Sequence, residues 1–151
     1  DYVLIQFGMN DCNYWATDRG MPRVSQKAFV ANLEEIVEKS IFAGARHCFL
    51  NTNHPSLKGR FDHLNEKRHD SSNSDYNKLI REAYSALRTR GFPISLIDIE
   101  TAWEEYLNED RSIRINELLL DDCIHLSDRG HLLYSRIVVP QVLEILKSEP
   151  K

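Results

Sequence analysis

The chain has 151 residues, 42% of them hydrophobic and 28% charged, and a formal net charge of −4 at pH 7. Those proportions fit one ordinary globular domain over residues 1–151, able to bury roughly two-thirds of its unfolded surface, and exclude a disordered chain. The acidic balance without a long basic run speaks against nucleic acid or an anionic membrane as partner, and no segment approaches the ~20 consecutive apolar residues of a spanning helix.

The first element is an apolar run of strand length, Tyr2-Val3-Leu4-Ile5-Gln6-Phe7, stopping at Gly8-Met9-Asn10-Asp11. In an open parallel sheet, ligands bind at the C-terminal ends of strands, so Asn10 is expected to present its amide there. Residues 13–23 read as a loop leaving that end, with Gly20, Pro22 and two adjacent aromatics. Asn13, Tyr14, Trp15 and Arg23 are candidates for a substrate wall; a plug packing the loop onto the body is the alternative for Trp15.

Ser25 is a natural N-cap for a helix carrying Phe29, Leu33, Ile36, Val37 and Ile41 at the 3.6-residue period and stopped by Gly44. Residues 47–51 follow as a second strand, from which Asn53 and His54 emerge at the Asn10 edge as pocket candidates. Residues 56–74 form a long polar stretch with His63 and His69, expected as a solvated lid. No histidine or cysteine spacing there matches a metal motif, so neither metal nor cofactor is expected.

Asp75 is expected to open a helix closed by Gly91, and residues 94–99 form a third strand. Asp98 reads as the cap of a short helix carrying Ala102, Trp103 and Tyr106, with a second catalytic acid as the alternative. After a polar connection, Leu118-Leu119-Leu120 anchors the stretch Asp122-Cys123-Ile124-His125-Leu126-Ser127-Asp128-Arg129-Gly130-His131. A carboxylate three residues ahead of a histidine can bond its Nδ1–H and leave Nε2 outward as a base. Ser127 then caps the last helix, in which Pro140 requires a kink or a local break. His131 falls to packing or hydrogen bonding.

Three cysteines cannot all pair, and reduced thiols in a reducing compartment, favouring the cytoplasm, are the expectation. A Cys12–Cys123 bridge stays open, because the two residues flank the motifs that would meet at one edge. Cys48 reads as a small buried hydrophobe.

The pair Gly8-x-Asn10-Asp11 and Asp122-x-x-His125-Leu126-Ser127-x-x-Gly130-His131 closely resembles two sequence blocks of the SGNH (GDSL-like) hydrolases, and the resemblance runs over essentially the whole chain. It implies an α/β fold of three layers, a flavodoxin-like parallel sheet flanked by helices, with three of about five strands encoded here. It also implies a serine esterase in which Asp122 orients His125, His125 is the general base and Asn10 donates to the oxyanion. The family's Gly-Asp-Ser block and its oxyanion glycine have no match in this chain. The chain opens on Asp1 directly at a strand, and both blocks are expected upstream. The strand at 2–7 is then an exposed edge, covered by the upstream segment or by self-association. The mixed aromatic and polar loops suit a small acyl group on a polar alcohol, such as an O-acetylated carbohydrate. The alternatives are a non-catalytic flavodoxin-like binding domain and a derivative that has lost its nucleophile.

Overall fold

Three short parallel strands, β1 (Tyr2–Ile5), β2 (His47–Asn51) and β3 (Ile94–Ile97), lie in that order across one sheet of this computed structural model, which describes residues 1–59 and 68–148. Helices α1 (Gln26–Phe42) and α2 (His69–Thr89) cover one face, while α3 (Ile99–Glu109) and α4 (Asp128–Ser148) cover the other. Strand alternation sorts the side chains between the layers. Val3, Ile5, Cys48, Leu50 and Ile94 pack with Phe29, Leu33, Tyr76 and Ile80. Tyr2, Phe49 and Ile97 turn the other way, onto Trp103, Leu118, Leu133 and Val138. The chain therefore has the three-layer α/β arrangement its strand and helix alternation implies.

Caps set the starts of α1 and α3 as expected. Ser25 Oγ accepts the Ala28 N–H at 3.3 Å, and the Asp98 carboxylate accepts that of Thr101 at 3.2 Å. Asp98 also takes the Arg81 guanidinium through two bonds, at 2.8 and 2.7 Å, which settles its role as a structural cap and ion-pair partner. Among the described residues, β1 has a neighbour only on its β2 side, and Leu4 is half-exposed.

Several element ends depart from expectation: β1 stops at Ile5 and not Phe7, β3 stops at Ile97 with Ile99 already in α3, and α2 starts early. Helix α2 begins at His69, six residues before Asp75, so Ser71, Ser72 and Ser74 are helical and no lid extends to residue 74. The reason is that the early turns of α2 bury polar side chains, Ser72, Asn73 and Asn77, which bond the backbone of neighbouring loops and break the apolar period. Helix α4 runs through Pro140, so of the kink or local break expected there the break is absent, and the Gln141 side-chain amide donates to the Ile137 carbonyl at 2.9 Å within that turn. The rest of the proposed lid, His63 included, lies outside the described residues.

Candidate active site

The acid–histidine motif folds as a tight turn closed by its own carboxylate. Asp122 Oδ1 accepts the N–H groups of Ile124 and His125, both at 2.9 Å, and Oδ2 lies 2.5 Å from His125 Nδ1. The turn needs Cys123 at φ 63°, in the left-handed region. A carboxylate can only accept, so Nδ1 carries the proton and the Nε2 lone pair points away from Asp122. The His125 side chain is 74% exposed. Its bond, followed by the two backbone N–H groups, holds the Asp122 carboxyl well below the usual carboxylate range.

The surrounding chain fixes that turn. Leu119 and Leu126 pair as an antiparallel bridge, and the Leu120 N–H donates to the His125 carbonyl at 2.7 Å. Ser127 Oγ accepts from Gly130 N–H at 3.2 Å, the cap foreseen for α4, and donates to the Glu117 carbonyl. The Leu57 N–H reaches the Cys123 carbonyl at 2.9 Å, tying the turn to the segment leaving β2.

The second wall is the turn after β1. Gly8, at φ 118°, accepts at its carbonyl from Cys12 N–H, and its own N–H donates to Asp11 Oδ2 at 2.9 Å, so Asp11 closes the loop. Behind the turn, His69 Nε2 lies 3.3 Å from the Met9 carbonyl and Nδ1 2.9 Å from Ser56 Oγ, while Ser72 Oγ donates to the Cys12 carbonyl. Asn10 stands exposed at the tip with its side-chain amide uncommitted among the described residues.

The floor is Asn53 and His54. Asn77 clamps Asn53 by accepting its N–H at 2.7 Å and donating to its carbonyl at 3.0 Å, and Asn73 donates to the His54 carbonyl at 2.9 Å. The buried His54 ring meets Trp103 edge-on, with centroids 5.5 Å apart. Burial, then the nearby His131 and His125, push the His54 imidazole down to about 4, so it is neutral at physiological pH.

One open cleft of about 660 Å³ brings together Asn10, Asn53, His54 and His125. It also takes in His131, which is exposed and turned to the cleft instead of the core, and Gln6, which the sequence hides inside an apolar strand run. Asp122 stands behind His125. Asn13, Trp15 and Arg23 line a neighbouring depression of about 380 Å³ that shares Asn10 and Asp11. Trp15 is no plug: it is 51% exposed, with the Arg23 guanidinium 4.7 Å above its ring. Tyr14 lines neither hollow and pairs with Pro22 in an antiparallel bridge. Cys12 and Cys123 are both free thiols. The first is buried against the Met9 carbonyl, with burial and then Asp11 raising it to about 12, and the second is bonded to the Asp121 carbonyl. Among the described residues no cluster of histidine, cysteine or carboxylate could hold a metal ion.

The sequence model of the GDSL-like lipase/acylhydrolase family matches residues 1–137. The chain belongs to this family. Among solved structures, the acetyl xylan esterase AlAXEase superposes with a TM-score of 0.70 at 22% identity, over 94% of this chain and 67% of that one. LAE5, an alpha/beta hydrolase from the metagenome of Lake Arreo in Spain, gives 0.67 at 20% identity, over 93% and 58%. A variant of Axe2, an acetyl xylan esterase from Geobacillus stearothermophilus, gives 0.69 at 18% identity, over 94% and 59%. These likenesses establish the shared fold, and this chain spans between 58% and 67% of the length of the three. No curated protein matches the sequence.

Within this family member, no described serine bonds His125, and none lines the cleft. Ser56 is held by His69, and Ser72, Ser85 and Ser127 donate to backbone carbonyls.

Proposed function

We propose that the protein is a serine esterase in which Asp122, His125 and Asn10 form the catalytic edge and the nucleophilic serine comes from a segment outside these 151 residues. The observation that carries this reading is the 2.5 Å contact between Asp122 Oδ2 and His125 Nδ1, which leaves Nε2 free on a cleft that Asn10 also lines. In this mechanism His125 Nε2 takes the serine proton as Oγ attacks the acyl carbon. The Asn10 amide donates to the carbonyl oxygen as it becomes an oxyanion. His125 then passes the proton to the departing alkoxide, and water releases the acyl group from serine by the same route. Asp122 stays ionised and holds the imidazole in the reactive tautomer.

For substrate, the reading is a short acyl group on a polar alcohol, for instance an O-acetylated carbohydrate. Supporting it are the buried polar floor of Asn53 and His54, the adjoining hollow of Asn13, Trp15 and Arg23, and the naming of two structural neighbours as acetyl xylan esterases. Hydrolysis of acetyl against long-chain p-nitrophenyl esters tests the acyl preference, and a strong preference for the long chain overturns it. A nucleophile-less derivative is the second reading, favoured by the absence of a serine beside His125 among the described residues. A flavodoxin-like binding module has less support, since Asn10 and His125 share one cleft.

A further inference from the structure

Gln6 is the first residue past β1. Because Val3 and Ile5 face the α1/α2 core, Gln6 turns to the α4 side. The register Ile5↔Leu50 puts it next to Asn51, and Tyr134, one helical turn after His131, bridges the two. The buried Asn51 Nδ2 donates to the Tyr134 hydroxyl oxygen at 2.9 Å, and the Tyr134 O–H donates to Gln6 Oε1 at 2.5 Å. A phenol has one proton, and this chain spends it on the Gln6 carbonyl oxygen. The two N–H donors of Gln6 are thereby left for whatever enters the cleft that Gln6 lines with Asn10 and His125.

We infer that Gln6, oriented by Tyr134 and Asn51, is a substrate-recognition residue whose amide N–H groups bond the hydroxyl-bearing alcohol part of the ester. This deepens the esterase reading and rests on it for the identity of the ligand. A flexible glutamine would lose rotamer freedom on binding; here the phenol has fixed it beforehand. A neutral pair of donors suits uncharged oxygen acceptors such as sugar hydroxyls, and has nothing to offer an alkyl alcohol.

The test is a titration of ¹⁵N-labelled protein with methyl acetyl-β-xyloside and with butyl acetate, which share the acyl group and differ in the alcohol. The Gln6 side-chain amide signals should shift saturably with the xyloside. Gln6→Ala and Gln6→Glu should each weaken xyloside binding about three- to tenfold, and the preference for xyloside over butyl acetate should fall by the same factor. Tyr134→Phe, with its fold checked by circular dichroism, should give a smaller loss in the same ratio. Unmoved Gln6 signals, or equal losses for both ligands, overturn the inference. Turnover in His125→Ala is read separately, so an esterase indifferent to Gln6 and a Gln6 site without esterase chemistry are told apart.

Discussion

A Cβ placed on Gly130 would stand 2.1 Å from the Leu118 carbonyl oxygen, because α4 begins directly against the chain that carries the Asp122–His125 turn. The obstacle is backbone, so it cannot rotate aside. Gly130→Ala should destabilise the protein by about 3 kcal/mol, the upper part of the usual overpacking range, read as a lower midpoint in urea. A midpoint equal to wild type would mean the two segments are not in contact.

The Arg81–Asp98 pair offers a pH test. Burial raises the Asp98 carboxyl, but the Arg81 guanidinium, the Thr101 N–H and the Thr52 hydroxyl outweigh it and hold Asp98 below its ordinary value. A depressed carboxyl contributes stability above its unfolded value, about 3.9, and loses it as pH falls through the folded value. Both side chains are nearly a third exposed, so Asp98→Asn should cost about 1–2 kcal/mol at pH 7, less than a fully buried pair. The difference from wild type should narrow below about pH 4. A gap that widens in acid would contradict the assignment.

Asn77 is fully buried and satisfies both backbone groups of Asn53. Asn77→Ala leaves that N–H and carbonyl buried without partners and should cost about 2 kcal/mol or more. Hydrogen exchange at the Asn53 amide should accelerate in the variant; unchanged protection there would show that the clamp is dispensable.

Asn77 also marks what the sequence conceals. The 3.6-residue apolar period locates α1 and the later turns of α2, and the Asp-x-x-His spacing locates its turn, because each signal is local. The first turns of α2 are invisible to that reading. Ser72, Asn73 and Asn77 point inward to bond loop backbones, so a helix face looks like a polar loop. Gln6 is hidden for the opposite reason: it lies inside an apolar run, and only the pairing of β1 with β2 shows that it turns to Asn51 and Tyr134. Strand order alone brings Asn53 and His54 to the cleft that Asn10 lines, whereas Tyr14 is taken by its bridge to Pro22.

Under the proposed mechanism the exposed Asn10 amide would bear on rate and not on folding. In the complete protein, Asn10→Ala should lower kcat for acetyl esters by about 10²–10³ with the melting temperature unchanged. A fall confined to KM would remove Asn10 from the oxyanion.

The most direct test of the catalytic edge is acetyl ester turnover by the complete protein, wild type against His125→Ala, with a serine-directed phosphonate and mapping of the labelled residue. A loss of at least about 10³-fold in kcat/KM for His125→Ala and a label on a serine outside these 151 residues are expected. Undiminished turnover in His125→Ala, or a label on a serine within the chain, would contradict the proposed catalytic edge.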